Sequence, residues 1–552
     1  MRELPAELSR GVRLSLFALT IVLAAFHVDQ SIIIHQGIPG DMADARLVNC
    51  ILEHLYRAVR GHGELLSPAQ FYPTKGTLFY SDAHFGTAPF YILFRVLGAS
   101  MARSFQYWFL FIAGLNTAAV LFLLRRLLVH PLICCPLAFF ATSSAALAAK
   151  TGHPQVMPFF PFIFALAYFI PFLRNGDARS LGIALLWIAY QNACYLYHGY
   201  FSFLIFGLLA LLYFGFARAT EWGAKWRASV SRHGEFLALA IATSLLVIVL
   251  LYYPYARFSA AAGTRSMIEL RQIGPNPGAW FSASPFSPFY SHQTFYKADA
   301  ATYENTLFAG WIIYLLVIAT LIAALVNRGA ADLRLAAVLS LGSIILIVAM
   351  TSWGRGEANL YLWFADRVAS IRAFRSFARI AYLLFVIEAI GAALLLNHVF
   401  RAGTTRLVRH AAVAVAFLCA IESLAFGQTY YSPLTARRRA DALVKQWHAA
   451  GDRGVLLFAP GATNQPLEML HLDCWHAALI SGRATINGYS GNLPADHWDF
   501  LADPTQENAE QLLEHLRLPE NSISLVTDWA PEDKAGLGLA KVDPTPTPAP
   551  VP

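Results

Sequence analysis

Residues 84–99, HFGTAPFYILFRVLGA, decide how the rest of the chain is arranged. The run is apolar, but it carries Arg95 and stops at Gly98. A helix needs roughly 20 apolar residues to cross a bilayer. The stretch therefore reads as a segment lying along the interface. If it crossed instead, every later loop would change sides.

Eleven longer apolar runs surround it, at 12–34, 104–124, 131–149, 156–173, 180–197, 199–216, 235–255, 307–326, 334–351, 377–397 and 410–428. Each has the length of a membrane-spanning helix. The first run is too long for a signal-peptide core and reads as a retained helix. Composition agrees with many spans. The 552 residues are 57% hydrophobic and only 14% charged, against roughly a quarter charged in soluble domains. The expected fold is mainly α, a polytopic transmembrane helical bundle of about 11 spans with a small C-terminal α/β extracytoplasmic domain.

Basic residues set the orientation. With the N-terminus in the cytoplasm, the inner segments are 1–13, 125–130, 174–179, 217–235, 327–334 and 398–410, and they hold sixteen Lys and Arg. The outer loops hold about as many bases over more than twice the length. The net charge of +7 therefore reports basic cytoplasmic loops and gives no reason to expect nucleic-acid binding. The six cysteines show neither a CxxC pair nor a zinc-like spacing, and four lie in or near apolar runs. Cys50 and Cys474 fall outside the membrane and are open to pairing with each other.

Three regions follow: a transmembrane unit over 1–428 with a long first outer loop at 35–103, a soluble unit over 429–542, and a Pro-rich tail at 543–552. In the soluble unit, Gly454 to Phe458 and Ser522 to Thr527 read as strands and Ala509 to Leu516 as a helix.

Chemistry-bearing residues gather in the outer segments. The first loop has Asp41 after the Pro39-Gly40 turn, then Asp44 and Arg46. Ala43 to Arg60 reads as an amphipathic helix with Leu47, Ile51, Leu55 and Val59 on one stripe. A carboxylate at that position suits general-base work on a hydroxyl, and it equally suits a helix cap. Ser81-Asp82-Ala83-His84 is a polar cluster framed by aromatics. Gly152-His153-Pro154-Gln155 and Tyr197-His198-Gly199-Tyr200 occupy the next two short outer loops. The His and acid spacings match no metal motif, and no metal is expected. Glu304 precedes the run at 307. Arg367, Arg372, Arg375 and Arg379 crowd the approach to the run at 377. Arg375 and Arg379 share a helix face, and guanidinium groups suit phosphate recognition.

These features, taken in order and by side, resemble the GT-C superfamily of polytopic membrane glycosyltransferases, and more narrowly its bacterial members. The resemblance lies in the acidic-Arg stretch Asp41/Asp44/Arg46, the SD-x-H segment at 81–84, the GHxQ loop at 152–155, Glu304, the Arg375/Arg379 pair and Asn487-Gly488-Tyr489-Ser490-Gly491. Members often have Pro inside the R-x-x-x-R stretch, where this chain has Phe377.

The resemblance implies an inverting transferase of the bacterial inner membrane. It would move a sugar from a polyprenyl-phosphate-linked donor to a glycan, lipid or protein acceptor on the periplasmic face, with no cofactor. It also implies a first-loop Asp as general base, Asp41 first and Asp44 second. Arg46, Asp82, His84, His153, Gln155, His198, Glu304, Arg375 and Arg379 would then contact substrate, with the arginine pair holding the donor phosphate. Two other classes remain as alternatives. One is a transporter or lipid flippase, which would place charges near the bilayer midplane. The other is a non-catalytic envelope assembly protein binding partners through its soluble unit.

Overall fold

A computed structural model describes residues 8–34, 37–216, 219–258, 265–295, 302–354, 358–403, 405–451, 453–461 and 465–527. The tail at 543–552 lies outside the described residues. The first half of the chain contains α1 (Arg10–Val28), α2 (Asp44–Val59), α3 (Ala88–Val96), α4 (Met101–Arg126), α5 (Pro131–Ser143), α6 (Phe160–Asn175), α7 (Ala178–Cys194), α8 (Leu196–Phe216) and α9 (Ala219–Phe258). The second half contains α10 (Trp311–Val326), α11 (Ala331–Met350), α12 (Ala381–Ala402), α13 (Arg406–Glu422), α14 (Pro433–Ala449), α15 (Leu467–Ser481) and α16 (Gln506–Leu516).

All eleven apolar runs are helical. Among the described residues, eight helical segments are long and apolar enough to cross a membrane, with α5 continued to Ala148 and α6 begun at Pro154. Three of the runs form helices near the lower limit of spanning length. α7 and α13 have 17 residues each and α10 has 16. A glycine turn shortens α10. Its run begins at 307, but Gly310 adopts φ 125° and breaks the helix. The Glu422 carboxylate at the end of α13 accepts from the Trp311 and Ile312 amides at 2.8 and 2.9 Å. A carboxylate at a helix N-terminus satisfies exposed amides and complements the helix dipole. A Cβ at Gly310 would stand 2.7 Å from Glu422 Oε2, so the close approach requires glycine.

α12 is the bundle's centre, with every side chain from Ala381 to Asn397 buried. α1 and α9 lie at the periphery and expose Leu19, Val22 and Leu23, and Leu245, Leu246, Val249 and Leu250. A soluble protein rarely exposes a contiguous apolar face of that extent. In lipid such a face carries no penalty. The chain is a polytopic helical membrane protein.

α3 has nine residues, about 14 Å at 1.5 Å per residue, less than half of a bilayer core. Residues 84–99 therefore do not cross as a helix. α3 exposes Leu93 and Val96 while burying Tyr91, whose hydroxyl donates to Glu53 of α2 at 2.9 Å.

The first loop and the C-terminal segment form one layer at one end of the bundle. β1 (Ile38–Pro39) pairs antiparallel with β2 (Tyr430–Tyr431). β3 (Val455–Phe458) lies between β4 (Ala484–Thr485) and β5 (Ile523–Val526), parallel to both. β3, β5 and α16 coincide with the elements read from sequence. The core of this small sheet takes in Phe71 and Tyr80 of the first loop. Trp475 and Leu479 of α15 in turn join the core of the membrane helices. α2 is thus covered on both sides, and its residues from Ala45 to Tyr56 are all buried, more than a one-stripe amphipathic helix requires. All six cysteines are free thiols, so Cys50 and Cys474 do not pair.

Candidate functional site

The site is built where β1 turns into α2. Gly40 adopts φ 100°, and a Cβ there would lie 2.4 Å from the Ala45 Cβ and 2.6 Å from the Thr151 carbonyl oxygen. Only glycine lets the first loop press so closely against residues 151–152. Asp41 follows. Its Oδ1 accepts from the Ala43 and Ala45 amides at 3.1 and 3.2 Å, so it does cap α2. Its Oδ2 faces Gly152, 3.4 Å from where a Cβ would stand.

Asp44 lies in the first turn of α2. Its Oδ2 is 2.7 Å from His153 Nδ1, and its Oδ1 accepts from the Tyr489 hydroxyl at 3.0 Å. On the far side of the imidazole, His153 Nε2 is 3.6 Å from Glu304 Oε1. Glu304 is gripped in a bidentate manner. Arg379 donates Nη2–H to Oε1 at 2.6 Å and Nε–H to Oε2 at 3.3 Å. Lys150 Nζ stands 3.5 Å from Glu304 Oε2. Arg379 also donates to the Tyr195 hydroxyl at 2.9 Å, and its guanidinium lies 5.5 Å from the Tyr197 ring centroid. Phe377 packs on Tyr361 with centroids 4.5 Å apart, inside a 3-10 turn spanning Phe377–Ile380 that leads into α12.

The network runs Asp44–His153–Glu304–Arg379, with Asp41 beside its start and Lys150 at its middle. Its electrostatics are uneven. Burial, with Asp44 as a like charge nearby, raises the Asp41 carboxyl above its usual value. Burial alone would raise Asp44 too, but the His153 ring, Arg379 and the Tyr489 hydroxyl hold it below. Glu304 is likewise pulled well below the usual carboxylate range against its burial, by Arg379, Lys150 and His153. Burial brings the Lys150 ammonium down to about 8, although Glu304 opposes the shift.

Other expected residues lie beside this network or away from it. Asp82 accepts from the Leu196 amide at 3.4 Å, and burial lifts its carboxyl to about 6. The adjoining Ser81 and Ala83 backbones are bridged by the Tyr255 hydroxyl. The His198 ring packs edge-on against Tyr195 at 4.7 Å, just beneath Arg379's partner. Gln155 sits in the 3-10 turn after His153. Arg375 pairs with Glu269 at 2.5 Å, and Arg265 shares the same carboxylate at 3.4 Å. His84 is buried with its ring edge-on to Trp108, away from the network. Arg46 turns to the opposite face of α2 and binds Asp473 of α15 at 2.5 Å.

Lys150, Tyr195, Tyr489, Arg265 and Glu269 were not singled out as site residues from sequence. Lys150 carried a signal, being the one Lys in the apolar stretch leading to GHPQ. Tyr195 and Arg265 carried none. Among the described residues, no group of three or more His, Cys, Asp or Glu side chains is gathered to hold a metal ion.

Comparison with solved structures finds the Archaeoglobus fulgidus oligosaccharyltransferase in its apo form, at 12% identity and a TM-score of 0.42, covering 92% of this chain and 69% of that one. The same enzyme in complex with Zn and sulfate matches at 12% identity and a TM-score of 0.38, covering 91% of this chain and 67% of that one. No curated protein matches the chain. A family model described as "Domain of unknown function (DUF6311)" matches residues 14–424, well over half of the chain, and the protein belongs to that family.

Proposed function

We propose that the protein is a membrane glycosyltransferase that moves a sugar from a polyprenyl-phosphate-linked donor to a hydroxyl-bearing glycan, lipid or protein acceptor. The observation that carries this reading is the Asp41/Asp44 pair. Two carboxylates three residues apart are pushed in opposite directions, Asp41 up and Asp44 down. Environments that separate the titration of neighbouring acids are how sites divide catalytic roles.

In this reading Asp41 Oδ2 takes the proton of the acceptor hydroxyl. The acceptor oxygen then bonds to the anomeric carbon as the bond from that carbon to the phosphate oxygen breaks. The electron pair leaves on the phosphate, and the configuration inverts. Asp44 stays ionised and holds His153 in place. The departing charge needs fixed cations. Lys150 and Arg379 share the single carboxylate of Glu304, and Arg265 and Arg375 share that of Glu269. Each set leaves one positive charge for the donor phosphate. Tyr489 brings the C-terminal segment that carries α14 to α16 into the site. The reading puts this face in the periplasm, the N-terminus in the cytoplasm and the chain in a bacterial inner membrane.

The test is Asp41→Asn, assayed by sugar transfer from a polyprenyl-phosphate donor to cell-envelope acceptors. A lost general base costs about 10²–10⁴-fold, and the variant should keep its thermal midpoint in detergent. Unchanged turnover would remove Asp41 from the role.

A further inference from the structure

The opposite face of α2 borders a second cavity that plays no part in the transfer reading. It has a volume of about 380 Å³ and lies between α2, the start of α4, and α14 and α15. Its walls carry Arg46, Arg57, Arg95 and Arg437, with Glu53 as the one carboxylate among the lining residues. We propose that this cavity binds a phosphate-bearing anion, either the headgroup of an anionic phospholipid or a free phosphate.

The charge arrangement carries the proposal. Arg57 and Arg95 both pair with Glu53, at 3.0 and 2.8 Å. Arg46 and Arg439 both pair with Asp473, at 2.5 and 2.7 Å. Each carboxylate serves two guanidinium groups, so each set retains a positive charge. Arg437 adds a further guanidinium at the rim, paired among the described residues to Asp441 of its own helix.

Arg46 is almost wholly buried, yet its Nε–H has no hydrogen-bond partner among the described residues. A buried donor left unpaired costs about 1–3 kcal/mol, and an anionic oxygen would satisfy it. Phosphate matches the planar fork of arginine in bidentate fashion. The cavity also has a size typical of small-ligand sites.

Position favours a lipid source. Ser100, Met101 and Ala102 line the cavity at the point where the spanning helix α4 begins. α3 next to it exposes Leu93, Val96 and Leu97, as a helix resting on the acyl boundary does. A headgroup held here would join the first loop to α14 and α15 at the depth of the lipid phosphates.

The test uses the full-length protein in detergent and native mass spectrometry. The probes are dioleoyl phosphatidylglycerol, phosphatidylcholine with the same chains, and inorganic phosphate. The variant is Arg57→Gln with Arg437→Gln, both partly exposed and remote from Asp41. Wild type should retain phosphatidylglycerol in preference to phosphatidylcholine. The folded double variant should retain it about tenfold less, the effect of one lost charge-assisted bond. Displacement by inorganic phosphate would identify a free anion as sufficient, and resistance to displacement would identify the lipid. Either outcome supports the cavity. Equal retention of both lipids together with no phosphate binding would overturn it, and so would unchanged retention in the double variant. If the double variant does not fold, Arg437→Gln alone is read in the same way. Sugar transfer is not a readout, so the result stands apart from the Asp41 test.

Discussion

Two charged networks share the helix α2, two residues apart. Asp44 starts one and Arg46 starts the other, and successive positions of that spacing point to different faces of a helix. The Asp44 network is partly open, with 24% of the Asp44 side chain and 25% of His153 exposed. The Arg46–Asp473–Arg439 network is buried, with exposures of 1%, 0% and 5%. Both contain bidentate or shared arginine–carboxylate pairs, so ion pairing does not distinguish them. Exposure of their side chains does. The buried network ties α2 to α14 and α15, while the partly exposed one has acids with divided titration.

The largest effect should come from the buried network. Asp473→Asn leaves Arg46 and Arg439 buried without a countercharge, and breaking a buried pair typically costs about 3–5 kcal/mol. The thermal midpoint in detergent should fall steeply, and proteolysis between 429 and 465 should accelerate. A midpoint close to wild type would mean that this network does not hold the layer together. Glu304→Gln perturbs the open network. It releases Arg379 and Lys150 and loosens His153, and misplacing reacting groups by about 1 Å can cost 10²-fold. Turnover should drop by about that factor while the midpoint changes less than in Asp473→Asn. The reverse ranking would erase the contrast between the two networks.

A pH profile sharpens the same contrast. Under the proposed transfer, Asp41 accepts a proton only when ionised, so turnover is expected to fall as pH drops through its raised value. Lys150 would offset the departing phosphate only when charged, so turnover is also expected to fall as pH rises through about 8. Lys150→Met should remove the alkaline limb and leave the acid limb in place. Persistence of the alkaline limb would assign it elsewhere. The smallest effect should be Tyr489→Phe. It deletes one hydrogen bond to Asp44, roughly 1–3 kcal/mol for a bond to a charged group, and should raise the Asp44 carboxyl and lower turnover a few-fold. No change in either would show that the C-terminal unit touches the site without tuning it.

Much was legible in the sequence because the bilayer makes local composition decisive. A span must satisfy its own backbone hydrogen bonds and present apolar side chains to lipid, so all eleven runs are helices, and the run at 84–99, with Arg95 and Gly98, forms only the nine-residue α3. Asp41, Asp44, His153, Glu304 and Arg379 were also legible, as polar residues at helix ends. Their partners were not. Whether Asp44 meets His153 and Tyr489, or Arg46 meets Asp473, depends on contacts 109, 445 and 427 residues apart in the chain. No local pattern encodes such distances. The shortening of α10 was hidden for the same reason, since Glu422 from a different helix caps it. Sequence by itself determined which segments form long apolar helices and which residue types stand at their ends. Only the tertiary structure decided which charges of α2 are buried and which stay partly exposed, because that depends on how β1–β2 pairing and α15 pack against the helix and leave Asp44 partly exposed at its start.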